Sequence, residues 1–92
     1  MKNGNITEFI DKLYMGEELL FEYDGQEYFV QGWIEGEKAV MVLDRCSDKD
    51  FEDYIWKSEC KTMLDCAENF LNAEMWDKKS FLQIQSEVLW KD

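Results

Sequence analysis

The strongest local constraint in this chain is Asp24-Gly25. It stands between two apolar-aromatic runs, Glu18-Leu19-Leu20-Phe21-Glu22-Tyr23 and Gln26 to Ile34. A two-residue loop whose central residues take positive φ is the commonest hairpin connection, and Asp-Gly accepts that conformation. Such a loop also sets the register. Tyr23 faces Gln26, Glu22 faces Glu27, Phe21 faces Tyr28 and Leu19 faces Val30. Side chains alternate across a strand, so Leu19, Phe21, Tyr23, Tyr28 and Val30 share one face, the expected core. A second turn around Glu35-Gly36-Glu37 leads into Lys38 to Asp44, where Ala39, Met41 and Leu43 continue that face. Three antiparallel strands in meander order are expected.

Helical spacing brackets this sheet. Ile6, Phe9, Ile10, Leu13 and Tyr14 recur at the helical period, with Asn5 as cap, Glu8 as its box-like partner and Gly16 as a stop. A helix over residues 6–15 is predicted. After a polar, acidic stretch from Arg45 to Asp53, Tyr54-Ile55-Trp56-Lys57 is a candidate fourth strand. Thr62 then caps a helix whose stripe is Met63, Cys66, Ala67, Phe70 and Leu71, with Met75 as a candidate extension. Trp76-Asp77-Lys78-Lys79 breaks the pattern. Ser80 with Gln83 forms another capping box, opening a last short helix, with a strand at Glu87 to Trp90 as the alternative. The expected fold is α+β: an N-terminal helix, a three- to four-stranded antiparallel meander, and one or two C-terminal helices packed on the sheet.

The chain has 92 residues, enough for a single domain, 1–92, with 46% apolar and 15% aromatic residues. That supplies one core. There is no Pro, and nothing reads as linker, repeat or low-complexity tract. Met1 to Thr7 is polar, and no apolar run approaches the roughly 20 residues of a membrane span. A cytoplasmic protein is expected. Cys46, Cys60 and Cys66 are odd in number and lack metal-site spacing. They read as small buried hydrophobes in a reducing compartment.

Catalysis is hard to build from these residues. His, the commonest general base, is absent. No GxSxG, phosphate-binding loop or GxGxxG occurs. Carboxylate pairs abound in so acidic a chain, so no one pair is informative. Neither enzyme activity nor a cofactor is expected. The segment from Asp48 to Glu59 resembles a calcium loop: Asp48, Asp50, Glu52 and Glu59 fall at the first, third, fifth and twelfth positions. Asp53 stands where that loop needs Gly, and the segment before it reads as strand rather than helix. A calcium-binding module is therefore an alternative, with an acidic surface loop as its plainer reading.

Charge layout says more. Twenty-one Asp and Glu oppose ten Lys and Arg, a formal net charge of −11. This disfavours direct binding to nucleic acid or to an anionic membrane and favours basic partners. From Leu13 to Glu37 there is no Lys or Arg, and the predicted register sets Glu22 across from Glu27, a locally unfavourable pairing. The second sheet face carries Leu20, Phe29, Trp33, Val40 and Val42, too apolar for a solvated face. A C-terminal helix or segment lying on that face would explain it, and so would a partner-binding patch.

Three function classes follow. The first is a binding protein that occupies a basic, nucleic-acid-binding surface of a partner, through Glu18, Glu22, Asp24, Glu27, Glu35 and Glu37 with Phe29 and Trp33 as anchors. The second is an assembly module that self-associates through the apolar sheet face; across these classes a monomer or homodimer is expected. The third is the calcium module. In size, acidity and lack of catalytic residues the chain is similar to short inhibitors of phages and mobile elements, including nucleic-acid mimics and anti-CRISPR proteins. It is equally similar to many small bacterial domains of unassigned role. The likeness is one of composition.

Overall fold

The computed structural model describes residues 1–46 and 54–91. The elements run α1 (Ile6–Tyr14), β1 (Leu19–Tyr23), β2 (Gln26–Glu35), β3 (Lys38–Arg45), β4 (Tyr54–Cys60), α2 (Met63–Asn72), α3 (Phe81–Ile84), a 3-10 turn (Gln85–Glu87) and β5 (Leu89–Lys91). The fold is α+β. The sheet has five antiparallel strands in the order β4-β3-β2-β1-β5.

The hairpin takes its expected register, Leu19 opposite Val30 and Glu22 opposite Glu27. Asp24 and Gly25 both have positive φ, at 51° and 79°. α1 begins at Asn5, whose Oδ1 accepts from the Thr7 amide at 2.8 Å; the cap bond goes to Thr7 rather than through a Glu8 box. It ends in a left-handed Gly16, with Gly16 N donating to Leu13 O and Glu17 N to Lys12 O. That pair of bonds satisfies the last carbonyls of the helix. Thr62 Oγ1 caps α2 through the Asp65 amide, and the Ser80–Gln83 capping box forms in full.

The fifth strand corrects the expected three or four. Residues 81–91 are neither all helix nor all strand. One helical turn and a 3-10 turn bring the chain to the free edge of β1, where Leu89 to Lys91 pair with Glu22 to Leu20. The apolar run there is too short for periodicity to choose, so the open edge beside it decides. β4 is also longer than expected, reaching Cys60, with a register shift between Leu43 and Asp44.

All three helices pack on the Leu19–Phe21 face. The core joins Phe9 and Leu13 of α1, Cys66, Ala67, Phe70 and Leu71 of α2, and Phe81 and Ile84 of α3 to Leu19, Phe21, Tyr28, Val30, Ala39, Met41 and Leu43 of the sheet. Aromatic rings dominate its middle. Phe9 stacks on Phe81 at 5.1 Å, and Phe21 meets Phe81 edge-to-face at 5.2 Å. Burying each such ring stabilises the fold by about 1.5–3 kcal/mol. Trp76 completes the cluster. A tight turn holds it there, with Asp77 and Lys78 at φ 52° and 66° and Trp76 bridged to Lys79. The break in helical pattern at 76–79 is thus the device that folds an indole into the core.

Where α1, β2 and α2 meet, two backbones approach closely. Gly32 N donates to Gly16 O at 3.1 Å, and the Met63 side chain lies across both glycines.

Candidate interaction face

With the helices on one side, the other side of the sheet has no helix over it among the described residues. The C-terminal helices lie on the Leu19–Phe21 face and so do not supply the expected cover. Alternation and register place Leu20 and Glu22 of β1, Glu27, Phe29, Gln31, Trp33 and Glu35 of β2, and Lys38, Val40, Val42 and Asp44 of β3 on the open side. Lys57 and Glu59 of β4 and Leu89 and Lys91 of β5 join them.

Val40 and Val42 are fully buried there. Trp33 and Glu59 flank Val40, and Gln31 and Lys57 flank Val42. Long side chains fold their apolar stems over short branched ones while keeping polar ends in water. Leu20, Phe29 and Trp33 remain half-buried.

The acids expected to bind a partner fall into two arrangements. Glu22 and Glu27 sit opposite each other, and Glu35 lies at the far end of β2. Eight residue steps at ~3.4 Å separate Glu27 from Glu35 by about 27 Å. Asp24 is at the tip of the β1–β2 hairpin, Glu37 is in the β2–β3 turn, and Glu18 precedes β1. These residues do not converge on a point. They outline a long face with Phe29 and Trp33 along its middle.

Their charges are not equally available. Glu22 Oε1 accepts from Lys91 Nζ at 3.1 Å. Hydrogen bonding to Glu22, and then the charges of Glu22 and Glu27, raise the Lys91 pKa. One member of the like-charge pair, Glu22, is therefore engaged within the chain by a cation on β5. Glu18, Asp24, Glu27, Glu35 and Glu37 make no ion pair among the described residues. Glu59 sits near the end of β4, between Lys38 and Lys57 at 3.4 Å each, and their positive charge lowers its pKa.

Three features of this face were not singled out in the sequence. Lys57 adds positive charge at its β3–β4 side beside Lys38, which alternation along β3 already places there; Lys57 needed the β4 register. Lys91 needed β5 itself. Asp44 is 3% exposed and its Oδ1 has no hydrogen-bond partner among the described residues. Burial raises its pKa. Cys46 lies close by: burial raises its thiol pKa, with the Glu27 and Asp44 charges adding to the effect.

On the helix side, an open groove of about 350 Å³ runs past Tyr23, Asp24, Gln26, Tyr28 and the 75–79 turn. Its walls mix carboxylates with Lys79 and rings that are mostly spent on the core. Among the described residues no three His, Cys, Asp or Glu side chains gather to hold a metal. Asp48, Asp50 and Glu52 of the calcium-loop reading lie outside the described residues. No helix among the described residues is long and apolar enough to cross a membrane.

Compared with protein-family models, with curated proteins and with solved structures, the chain matches none.

Proposed function

We propose that this chain is a non-enzymatic protein-binding domain. Its helix-free sheet face occupies a basic, nucleic-acid-binding surface of a partner protein and blocks it. Carboxylates along the face stand in for backbone phosphates, while Phe29 and Trp33 supply desolvated anchors. One observation carries this reading. Among the described residues, Glu18, Asp24, Glu27, Glu35 and Glu37 make no ion pair, and no helix covers the face, which keeps two half-buried aromatic rings. The length of that face suits a macromolecular surface rather than a small ligand. Charge complementarity of this kind gives fast, salt-sensitive association.

The test is capture of partners on immobilised protein, eluted by a salt gradient and by added DNA. Glu27→Lys with Glu35→Lys should lose the DNA-displaceable partners. Phe29→Ala with Trp33→Ala should weaken their retention. Glu22 is a poorer choice, because Lys91 already engages its charge. Unchanged capture by both variants, or partners that DNA does not displace, would refute the reading.

A second reading rests on the same face. Leu20, Phe29 and Trp33 over Val40 and Val42 form a surface on which two copies could pair. Sedimentation at low and high salt separates the two: a dimer indifferent to salt favours self-association.

A further inference from the structure

The one cysteine of α2, Cys66, and the last residue of β4, Cys60, meet around one serine. Asn69 Nδ2 donates to Cys60 Sγ at 3.1 Å and to Ser58 Oγ at 3.0 Å. Ser58 Oγ lies 3.4 Å from Cys60 Sγ. The Cys66 thiol donates to the backbone carbonyls of Ser58 and Ala39, each at 3.5 Å. Both sulfurs are therefore held against the same residue, one from its side-chain side and one from its carbonyl. The expectation of cysteines as inert packing fits Cys66, which is fully buried. It does not fit Cys60, which is half-exposed and receives a side-chain donor from Asn69.

We infer that Cys60 and Cys66 are a redox-active dithiol that closes into an intrachain disulfide on reaction with a hydroperoxide. Cys60, the sulfur that solvent reaches, attacks the peroxide oxygen. The O–O bond breaks, Cys60 becomes a sulfenic acid, and with hydrogen peroxide the other oxygen leaves as water. The Cys66 sulfur then attacks the Cys60 sulfur. The S–O bond breaks and a second water leaves, carrying the Cys66 proton. The balance is two thiols and one peroxide to one disulfide and two waters. The two roles follow from position. The attacking thiol needs access, whereas the resolving thiol needs only proximity. Burial raises the Cys66 pKa, and hydrogen bonding to the neighbouring Cys60 adds to that effect, so Cys66 is the slower nucleophile and gives up its proton as it attacks. Closure ties the β4 edge strand to the first half of α2, behind the Lys57–Glu59 side of the open face.

Peptide mapping of the whole protein tests this without any variant. The chain has a tryptic site at Lys61, between the two cysteines. Reduced protein, alkylated and digested, yields Ser58 to Lys61 and Thr62 to Lys78 as separate peptides. After a stoichiometric dose of hydrogen peroxide, the expected product is one species joining the two. It should lack the mass of two hydrogen atoms and separate again on reduction. Cys46→Ser should form the same species to the same extent. The inference is overturned if Cys60 proceeds to sulfinic acid while Cys66 keeps its thiol. It is equally overturned if Cys60 couples to Cys46 or to a second chain.

Discussion

Gly32→Ala probes the junction that sets the relation of helices to sheet. Gly32 lies in β2 with ordinary extended backbone, so the substitution brings no φ penalty. The added Cβ would stand 2.6 Å from Met63 Sδ, 2.8 Å from Met63 Cε and 3.2 Å from Gly16 Cα. The Met63 side chain is flexible and can swing aside. The Gly16 backbone cannot, because it is held by the Gly32 N to Gly16 O hydrogen bond and by the end of α1. Overpacking of this kind costs about 1–3 kcal/mol. Against it, replacing Gly stiffens the unfolded chain and returns about 0.4–1 kcal/mol. The net expectation is a loss of about 1–2 kcal/mol. Urea unfolding followed by fluorescence of the four tryptophans reads it directly. With a slope of ~1 kcal/mol/M, the midpoint should fall by about 1–2 M. Met63→Ala in the same background removes the nearest atoms, so the double variant should lose less than the two single losses combined, with a coupling above ~0.5 kcal/mol. A Gly32→Ala protein as stable as the parent would refute the close-approach argument. Strictly additive losses would show that Met63 is not the obstacle.

Two further outcomes follow from charge. Asp44 has its folded pKa raised above the unfolded 3.8, because burial disfavours its charged form. The unfolded state therefore gives up the proton first, and stability falls as pH rises through the window between 3.8 and the raised value. Asp44→Asn should be more stable than the parent near neutral pH by about 1 kcal/mol, allowing for screening of a thinly covered group. That gain should vanish in melts taken below the window. For Lys91, hydrogen bonding to Glu22 raises the pKa, so its contribution is present at neutral pH and lost only as strongly alkaline pH passes through the raised value. Lys91→Gln should leave Glu22 facing Glu27 without its neighbouring cation. Added salt should then stabilise the variant more than the parent in paired thermal melts.

Much of the fold was legible because its signals are local. Asp24-Gly25 dictated a turn type, and the turn type dictated which of Leu19, Phe21, Tyr28 and Val30 share the core face. Asn5, Thr62 and Ser80 marked helix starts by the donors they satisfy. What failed was non-local. β5 forms because β1 has an open edge, and nothing within residues 89–91 states where that edge will be. The Trp76 turn looked like an interruption because two non-glycine residues at positive φ are uncommon; the ring they deliver to the core compensates for their strain.

The candidate face divides in the same way. Alternation alone placed Glu22, Glu27, Phe29 and Trp33 on one side of a sheet and gave the Glu22–Glu27 opposition, because strand period and loop length are properties of neighbouring residues. Which side the helices would choose, and that Lys91 would reach Glu22 from the far side of β1, was decided by tertiary packing. A side chain's charge is written in the sequence, but its available charge depends on which distant cation the fold brings within about 4 Å. Glu22 is engaged and Glu27 is not for that reason, and only the arrangement of β5 beside β1 distinguishes them.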